Sequence, residues 1–167
     1  MKTVLQFDFL VNKEAKTIHV VREFDATKDL VWSCWTQHEL LDQWWAPKPY
    51  QNQTVSMNFS VGGNWFYAMI SPAGERHFCK AYYTNIQPND AFAYHDSFCD
   101  EKGIDNPAMP SMNWELSFSG KSTTTLVKIL LKFETEEDLE NIIKMGFKEG
   151  FTMGLENLDE LLEKIKN

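Results

Sequence analysis

The sequence predicts an α+β fold, in which the strands are gathered together and the helices stand apart from them. Two segments near the N-terminus alternate apolar and polar residues around a turn, as the strands of a β-hairpin do. Further segments with a period of two occupy residues 53–133. Residues 135–166 carry an apolar stripe at helical period, which indicates a long terminal helix.

The composition supports one domain over residues 1–167, a length that can bury its own core. Aromatic residues make up 14% of the chain, with 12 Phe, 6 Trp and 5 Tyr, so some of them must fill a core or line a cavity. The net charge of −8 argues against nucleic acid and against an anionic membrane surface as partners. No apolar run approaches the roughly 18 residues that a membrane span requires.

The cysteines and the N-terminal segment indicate a cytoplasmic protein. Cys34, Cys79 and Cys99 show no Cys-x-x-Cys spacing, so we expect free thiols in a reducing compartment. Gln6 and Asp8 interrupt the first apolar run, so this run is expected to be a strand rather than a signal peptide.

The first elements are expected to be a hairpin followed by a helix. Residues 3–12 form its first strand, residues 12–15 a turn, and the second strand ends at Phe24. Thr27 then follows as a possible helix cap, because a Thr hydroxyl can accept a hydrogen bond from the first turn.

A second short helix is expected from His38 to about Trp45, and the prolines at positions 47 and 49 end it. The pair Gly62-Gly63 lacks a phosphate-loop pattern and a following helix, so it is interpreted as a bulge or a sharp bend before a strand.

Six strands are expected after these helices, with a long loop at residues 100–111. They cover residues 55–61, 65–69, 77–86, 91–99, 112–118 and 125–133. On the first of them, one face carries Val55, Met57, Phe59 and Val61, and the other, water-facing, carries Thr54, Ser56, Asn58 and Ser60.

Thr135 and the three acidic residues after it predict the start of the terminal helix over residues 135–166. Gly146, Gly150 and Gly154 recur every four residues, so they lie on one stripe and together cost about 3 kcal/mol relative to Ala. Three explanations remain open: close approach of the helix to the sheet, a groove that leaves room for a ligand, or a bend or late start of the helix.

Five segments in a fixed order carry a resemblance to a known family. They are residues 22–32, 39–45, 61–65, 81–86, and Gly150-Phe151 with Leu155, Leu158 and Leu162. In this order and spacing the chain resembles the activator of Hsp90 ATPase homolog 1-like domains of the helix-grip superfamily, which includes START and Bet v 1-like domains. The chain departs from the family pattern at Asn58, Ala81 and Phe151, where Asp, Gly and Trp are usual.

The resemblance implies a helix-grip fold. In it, a curved antiparallel sheet of seven strands wraps around a long C-terminal helix, two short helices close one end, and a cavity lies inside. Residues 1–14 would then hold an extra strand that extends one edge of the sheet. The resemblance also implies a stress-response role with an Hsp90-type chaperone as partner.

Little in the sequence points to catalysis. The four His residues have no metal-ligand spacing, so we expect neither a metal site nor a cofactor. Asp96 and His95 are the candidate catalytic residues, because a buried carboxylate with a raised pKa can act as a general base. Since they are adjacent on a predicted strand, their side chains point to opposite faces.

The aromatic and methionine residues are the candidate site, because apolar pockets with a few polar groups bind small organic molecules. The candidates are Trp44, Trp45, Trp65, Tyr67, Met69, Phe98, Met112, Trp114, Phe147, Phe151 and Leu155. The alternative interpretation is that these side chains simply fill the interior.

Three functions are compatible with these observations. The first is binding of a small hydrophobic ligand between the sheet and the terminal helix. The second is a chaperone-associated stress-response interaction. The third is a cavity enzyme of the aromatase/cyclase or hydrolase type, which needs Asp96, His95 or Tyr67 to point into the cavity.

Overall fold

The computed structural model describes residues 5–166 of the chain. In chain order its elements are β1 (Phe7–Asn12), β2 (Thr17–Phe24), α1 (Lys28–Thr36), α2 (His38–Trp44), β3 (Gln51–Met57), β4 (Asn64–Ile70), β5 (Arg76–Gln87), β6 (Ala91–Cys99), β7 (Met112–Gly120), β8 (Thr125–Lys132), α3 (Glu136–Lys144) and α4 (Phe147–Ile165). The predictions made for residues 1–4 and 167, the start of the N-terminal strand and the last position of the domain, lie outside the described residues.

The strands form one antiparallel sheet in the spatial order β1-β2-β8-β7-β6-β5-β4-β3. From β3 to β8 each strand pairs with its successor, and β8 then pairs with β2 over the full length from Thr17–Lys132 to Phe24–Thr125. β1 extends the edge beside β2, where an extra strand was expected. The α+β prediction is confirmed.

One face of the sheet forms the core. On β7, buried and exposed residues alternate as predicted, with Met112, Trp114, Leu116 and Phe118 buried. The same alternation places apolar side chains of β2, β6 and β8 on this inner face.

The first strand after the helices differs from its prediction. β3 begins at Gln51 and ends at Met57, and a bulge lies between Thr54 and Ser56. Before the bulge Thr54 faces inward and donates to Asp42 over 2.8 Å, while Val55 is 53% exposed. The predicted assignment of faces is therefore wrong at these residues, because one extra residue in a strand exchanges its two faces.

The predicted terminal helix is divided into α3 and α4. The Thr135 hydroxyl caps α3 and accepts from the backbone N–H of Asp138 over 3.0 Å, as the sequence indicated. Gly146 adopts a φ of 88°, in the left-handed region that favours glycine, and the long helix therefore begins at Phe147. A continuous helix over residues 135–166 is thus the wrong description of this segment.

α4 packs closely against the end of α2. A Cβ at Gly154 would lie 3.3 Å from the carbonyl oxygen of Trp45 and 3.6 Å from that of Trp44. One turn later, Asn157 Nδ2 donates to the carbonyls of Trp44 (3.3 Å) and Ala46 (3.1 Å). These contacts satisfy carbonyl groups that the end of a helix leaves free, and they fix α2 beneath α4.

The buried face of α4 lies against the inner face of the sheet, with Leu155 and Leu158 fully buried. The sheet, the two short helices and the long terminal helix therefore form the predicted helix-grip arrangement. None of the helices in residues 5–166 combines the length and the hydropathy needed to cross a membrane.

Candidate functional site

A cavity of about 230 Å³ lies between the inner face of β4–β7 and the place where α3 meets α4. The segment that follows α2 closes one side with Trp45 and Pro47. His77 and Met145 belong to the lining and are exposed to solvent, so the cavity opens between them.

Most of the predicted site residues line this cavity. They are Trp45, Tyr67, Met69, Phe98, Met112, Trp114, Phe147 and Phe151. That these residues bind a ligand stays a prediction.

Two of the predicted tryptophans lie outside the cavity. Trp44 is 1% exposed and donates from Nε1 to the carbonyl of Cys34 over 2.9 Å. Successive positions on a helix differ by about 100°, so Trp44 and Trp45 cannot face the same space. Trp65 turns its indole N–H to the hydroxyl of Thr54 (2.9 Å), a residue whose inward orientation depends on the β3 bulge.

Leu155 also lies outside the cavity and is fully buried in the core. It shares a helical stripe with Phe151, but it lies four residues, about 6 Å, further along the helix axis. The apolar stripe of α4 therefore lines the cavity at Phe151 but not at Leu155.

Aromatic rings in mutual contact form the wall of the cavity. The ring of Trp45 lies 5.8 Å from that of Trp114 and 6.2 Å from that of Phe151, measured between centroids. Phe147 stacks on Phe151 at 5.2 Å. Such contacts hold each ring in place, so the wall is formed before any ligand enters.

Asp96 places a carboxyl group in this aromatic wall. It lies on the inner face of β6, paired with Ala81 of β5 and Met112 of β7. Burial raises the pKa of Asp96 to about 7, while the N–H groups of Trp114 and Ser97 act in the opposite direction. Near neutral pH this carboxyl can therefore either give or take a proton.

Two buried polar atoms of the wall have no hydrogen-bond partner among the described residues. They are Asp96 Oδ1, an acceptor, and Trp114 Nε1, a donor. The indole N–H is close enough to lower the pKa of the carboxyl, but the contact falls short of hydrogen-bond geometry. Buried polar atoms in proteins are almost always paired. A small shift of the indole would pair these two atoms with each other, and a ligand that enters beside them would offer each a partner.

The hydroxyl of Tyr67 and the thiol of Cys79, two other polar groups of the wall, stay neutral at neutral pH. The hydroxyl of Tyr67 accepts from Trp45 Nε1 over 3.2 Å, and burial raises the pKa of Tyr67 well above its ordinary value. Burial likewise raises the pKa of Cys79, which lies opposite Tyr67 on β5.

His95 lies on the outer face of the sheet, where its Nδ1 is 2.9 Å from Asn113 Oδ1. His95 does not line the cavity. The side chains of Asp96 and His95 therefore lie on opposite faces of the sheet, as predicted for adjacent residues of a strand. Cys34 is buried in the core, and burial raises its pKa to about 12.

Several lining residues were not predicted from the sequence. Cys79 could have been found, because it alternates with Ala81 and Tyr83 on the inner face of β5. Pro47 and Met145 gave no such signal, since they lie in irregular segments where no period applies.

Within residues 5–166, no group of three or more His, Cys, Asp or Glu side chains is arranged to hold a metal ion.

Comparison with known proteins gives a family and a set of similar folds. The family model described as Activator of Hsp90 ATPase homolog 1-like protein matches residues 25–163. A solved protein from Arthrobacter aurescens is 28% identical and superposes with a TM-score of 0.89, covering 96% of this chain and 93% of that one. A protein from Staphylococcus epidermidis is also 28% identical, with a TM-score of 0.81 and coverage of 92% and 93%.

CalU16 from Micromonospora echinospora shares the fold at 16% identity, with a TM-score of 0.59 and coverage of 93% of this chain and 84% of that one. No curated protein matches the chain.

Proposed function

The chain belongs to the activator of Hsp90 ATPase homolog 1-like family, and we propose that it binds a small hydrophobic molecule in the cavity beneath the start of α4. The observation that carries this proposal is the cavity itself, about 230 Å³ in volume and walled by aromatic rings. The fold supports it, since proteins of this kind commonly bind hydrophobic ligands.

The volume limits the size of the ligand. An apolar cavity of about 150 Å³ accommodates benzene. The observed cavity is larger than this and smaller than the roughly 300 Å³ at which drug-sized pockets begin. It suits one aromatic ring with a short chain, or an aliphatic body of similar size, and its open end lets a longer group reach solvent.

Native mass spectrometry of the protein purified from its own host tests this proposal. We expect a retained small molecule in the wild type and its loss in the variant Cys79→Leu, because the larger side chain would fill space at the inner wall. Cys99→Leu is the matched control, since Cys99 lies outside the cavity lining on β6. Equal retention by both variants, or no retained molecule in any of the three proteins, contradicts the proposal.

A cavity enzyme is the second candidate, and Asp96 is the observation that favours it. A carboxyl group with a pKa of about 7 inside a cavity suits general acid–base catalysis. The test is incubation of the molecule recovered from the host with the wild type and with Asp96→Asn. Conversion by the wild type alone supports an enzyme, and recovery of the unchanged molecule from both argues against one.

The chaperone role and the location stay predictions. A partnership with an Hsp90-type chaperone rests on the family alone. A pull-down and an ATPase assay with the cognate Hsp90 test this partnership. Absence of both binding and ATPase stimulation would contradict it. The cytoplasmic location agrees with the free state of Cys34, Cys79 and Cys99, and fractionation of the host cell tests it.

A further inference from the structure

We propose that the cavity takes a small organic cation, a protonated or quaternary amine on an aromatic or aliphatic body, with the Asp96 carboxylate as its counter-ion. The inference rests on the proposed function, because it assigns the ligand class of the same cavity. Three features of the wall carry it: its single acidic group, the buried oxygen of that group and its aromatic rings.

When Asp96 is ionised, the charge of the wall is negative. Within the described lining, Asp96 is the one acidic side chain, and neither Lys nor Arg is present. A ligand carboxylate would therefore meet a like charge with no base to compensate it. The net charge of −8 on the chain also favours the approach of cations over that of anions.

The carboxylate lies far from the opening. Asp96 pairs with Ala81, which is four residues further along β5 than His77 at the mouth. At about 3.4 Å per residue, this separation is roughly 14 Å along the strand. A ligand whose charged end reaches Asp96 can therefore extend its apolar body toward the mouth.

The unpaired oxygen fits an ammonium donor. Asp96 Oδ1 is buried, and the indole N–H of Trp114 beside it falls short of hydrogen-bond geometry. Hydrogen bonds between charged partners are shorter and stronger than neutral ones, so an N–H group of a cation would satisfy this oxygen best.

The aromatic rings supply a second attraction. Trp45, Trp114 and Phe151 all line the cavity, and their ring centroids lie 5.6–6.2 Å from one another. The faces of such rings attract cations, most strongly where water is excluded. A neutral body of the same shape would gain the apolar contacts but not this attraction.

No other charge near Asp96 replaces a ligand cation. The ionisable groups that interact with its charge are Tyr67, Cys79, Tyr94 and Cys99, and burial raises the pKa of all four above the ordinary values. The lining residues contributed by α3 and α4 carry no ionisable side chain. His77 remains as the ionisable group at the mouth.

Calorimetry with three probes of similar size tests the inference: 2-phenylethylammonium, 2-phenylethanol and 3-phenylpropionate. At pH 8 Asp96, with a pKa of about 7, is mostly ionised, and an alkylammonium group with a pKa near 10.4 is still charged. We expect the ammonium to bind about tenfold or more tightly than the alcohol, and the carboxylate to bind most weakly.

Two variants locate the preference. Asp96→Asn should remove most of it, leaving only the smaller contribution of the aromatic rings. Glu115→Gln removes the same charge from an exposed ion pair with Lys132 on the outer face, and it should retain the preference. The same three titrations with His77→Gln test whether the imidazole at the mouth contributes. If Asp96 is the counter-ion, this variant keeps the preference for the ammonium.

Equal affinity for the ammonium and the alcohol in the wild type overturns the inference and leaves the proposed function standing. If none of the three probes binds, the inference also fails. The proposed function is then tested separately by native mass spectrometry.

Discussion

Asp96 is the residue at which stability and the proposed function conflict. Its carboxyl group is buried, and its pKa lies at about 7 rather than 3.8. Because the folded state holds this proton more tightly than the unfolded state, the group stabilises the protein below about pH 4. That contribution is lost as the pH rises toward 7. At pH 8 the ionised group costs the folded state up to roughly 4 kcal/mol.

The variant Asp96→Asn should therefore be more stable than the wild type at pH 8, because an amide does not ionise. We expect an advantage of about 2–4 kcal/mol at pH 8 that shrinks as the pH falls to 4. Urea denaturation of both proteins at the two pH values measures it. A difference that is the same at pH 4 and pH 8 would show that Asp96 does not titrate abnormally.

Individual site residues were predictable wherever they lie on regular strands. Alternation on β6 placed Asp96 and Phe98 on one face and His95 on the other, and the structure agrees. The depth of each residue was not predictable. Trp65 shares a face of β4 with Tyr67, yet only Tyr67 reaches the cavity, because Trp65 lies two residues deeper in the core.

At the scale of elements, the junction of α3 and α4 depends on one glycine of the three. Gly146 has a φ of 88°, whereas Gly150 is helical, and a Cβ there would lie 3.7 Å from Pro47 Cγ, an ordinary contact. Gly146→Ala should destabilise the protein by about 1–2 kcal/mol. Gly150→Ala should stabilise it by up to about 1 kcal/mol.

Thermal unfolding of the two alanine variants measures these opposite changes in stability. The pair is matched, since each change adds the same methyl group to the same segment. Destabilisation of similar size in both variants would contradict the left-handed conformation assigned to Gly146.

The division of the terminal helix was hidden from the sequence for a physical reason. α3 and α4 both bury apolar residues, so the apolar stripe continues through the break. Spacing alone could not show which glycine leaves the helix. The bulge in β3 was hidden in the same way, because Thr54 and Val55 are each compatible with either face of an edge strand.

At the scale of the whole molecule, an ion pair joins α4 to the sheet. Arg22 on β2 has a side chain only 9% exposed, and it pairs with Asp159 of α4. Burial, with smaller contributions from Glu156 and Glu160, raises the pKa of Asp159 despite the opposing effect of Arg22, so the pair is worth less than its contact suggests. Removing one partner is nevertheless costly, because it leaves the other charge buried and unpaired.

Asp159→Ala should therefore destabilise the protein by about 2 kcal/mol or more. The neighbouring Glu160→Ala is the control, since Glu160 pairs with Lys48 in a bridge whose side chains are 63% and 65% exposed. Exposed bridges contribute about 0–1 kcal/mol, so this variant should change little. Equal losses in the two variants would show that Arg22 does not hold α4 to the sheet.

The overall architecture was predictable because several weak signals agree in order. Alternating segments, two short helices and a terminal apolar stripe specify an antiparallel sheet with a long helix on one face. The cavity volume was not predictable. It depends on how closely α4 approaches the sheet at Phe147 and Phe151, which only tertiary packing determines.

An NMR titration with 2-phenylethanol tests the central claim, that the cavity binds a small hydrophobic molecule. The indole signals of Trp45 and Trp114, which line the cavity, should shift and saturate together. The signal of Trp32, which packs elsewhere against Phe118, should not. Absence of saturable shifts at Trp45 and Trp114, or equal shifts at all three tryptophans, would contradict the claim.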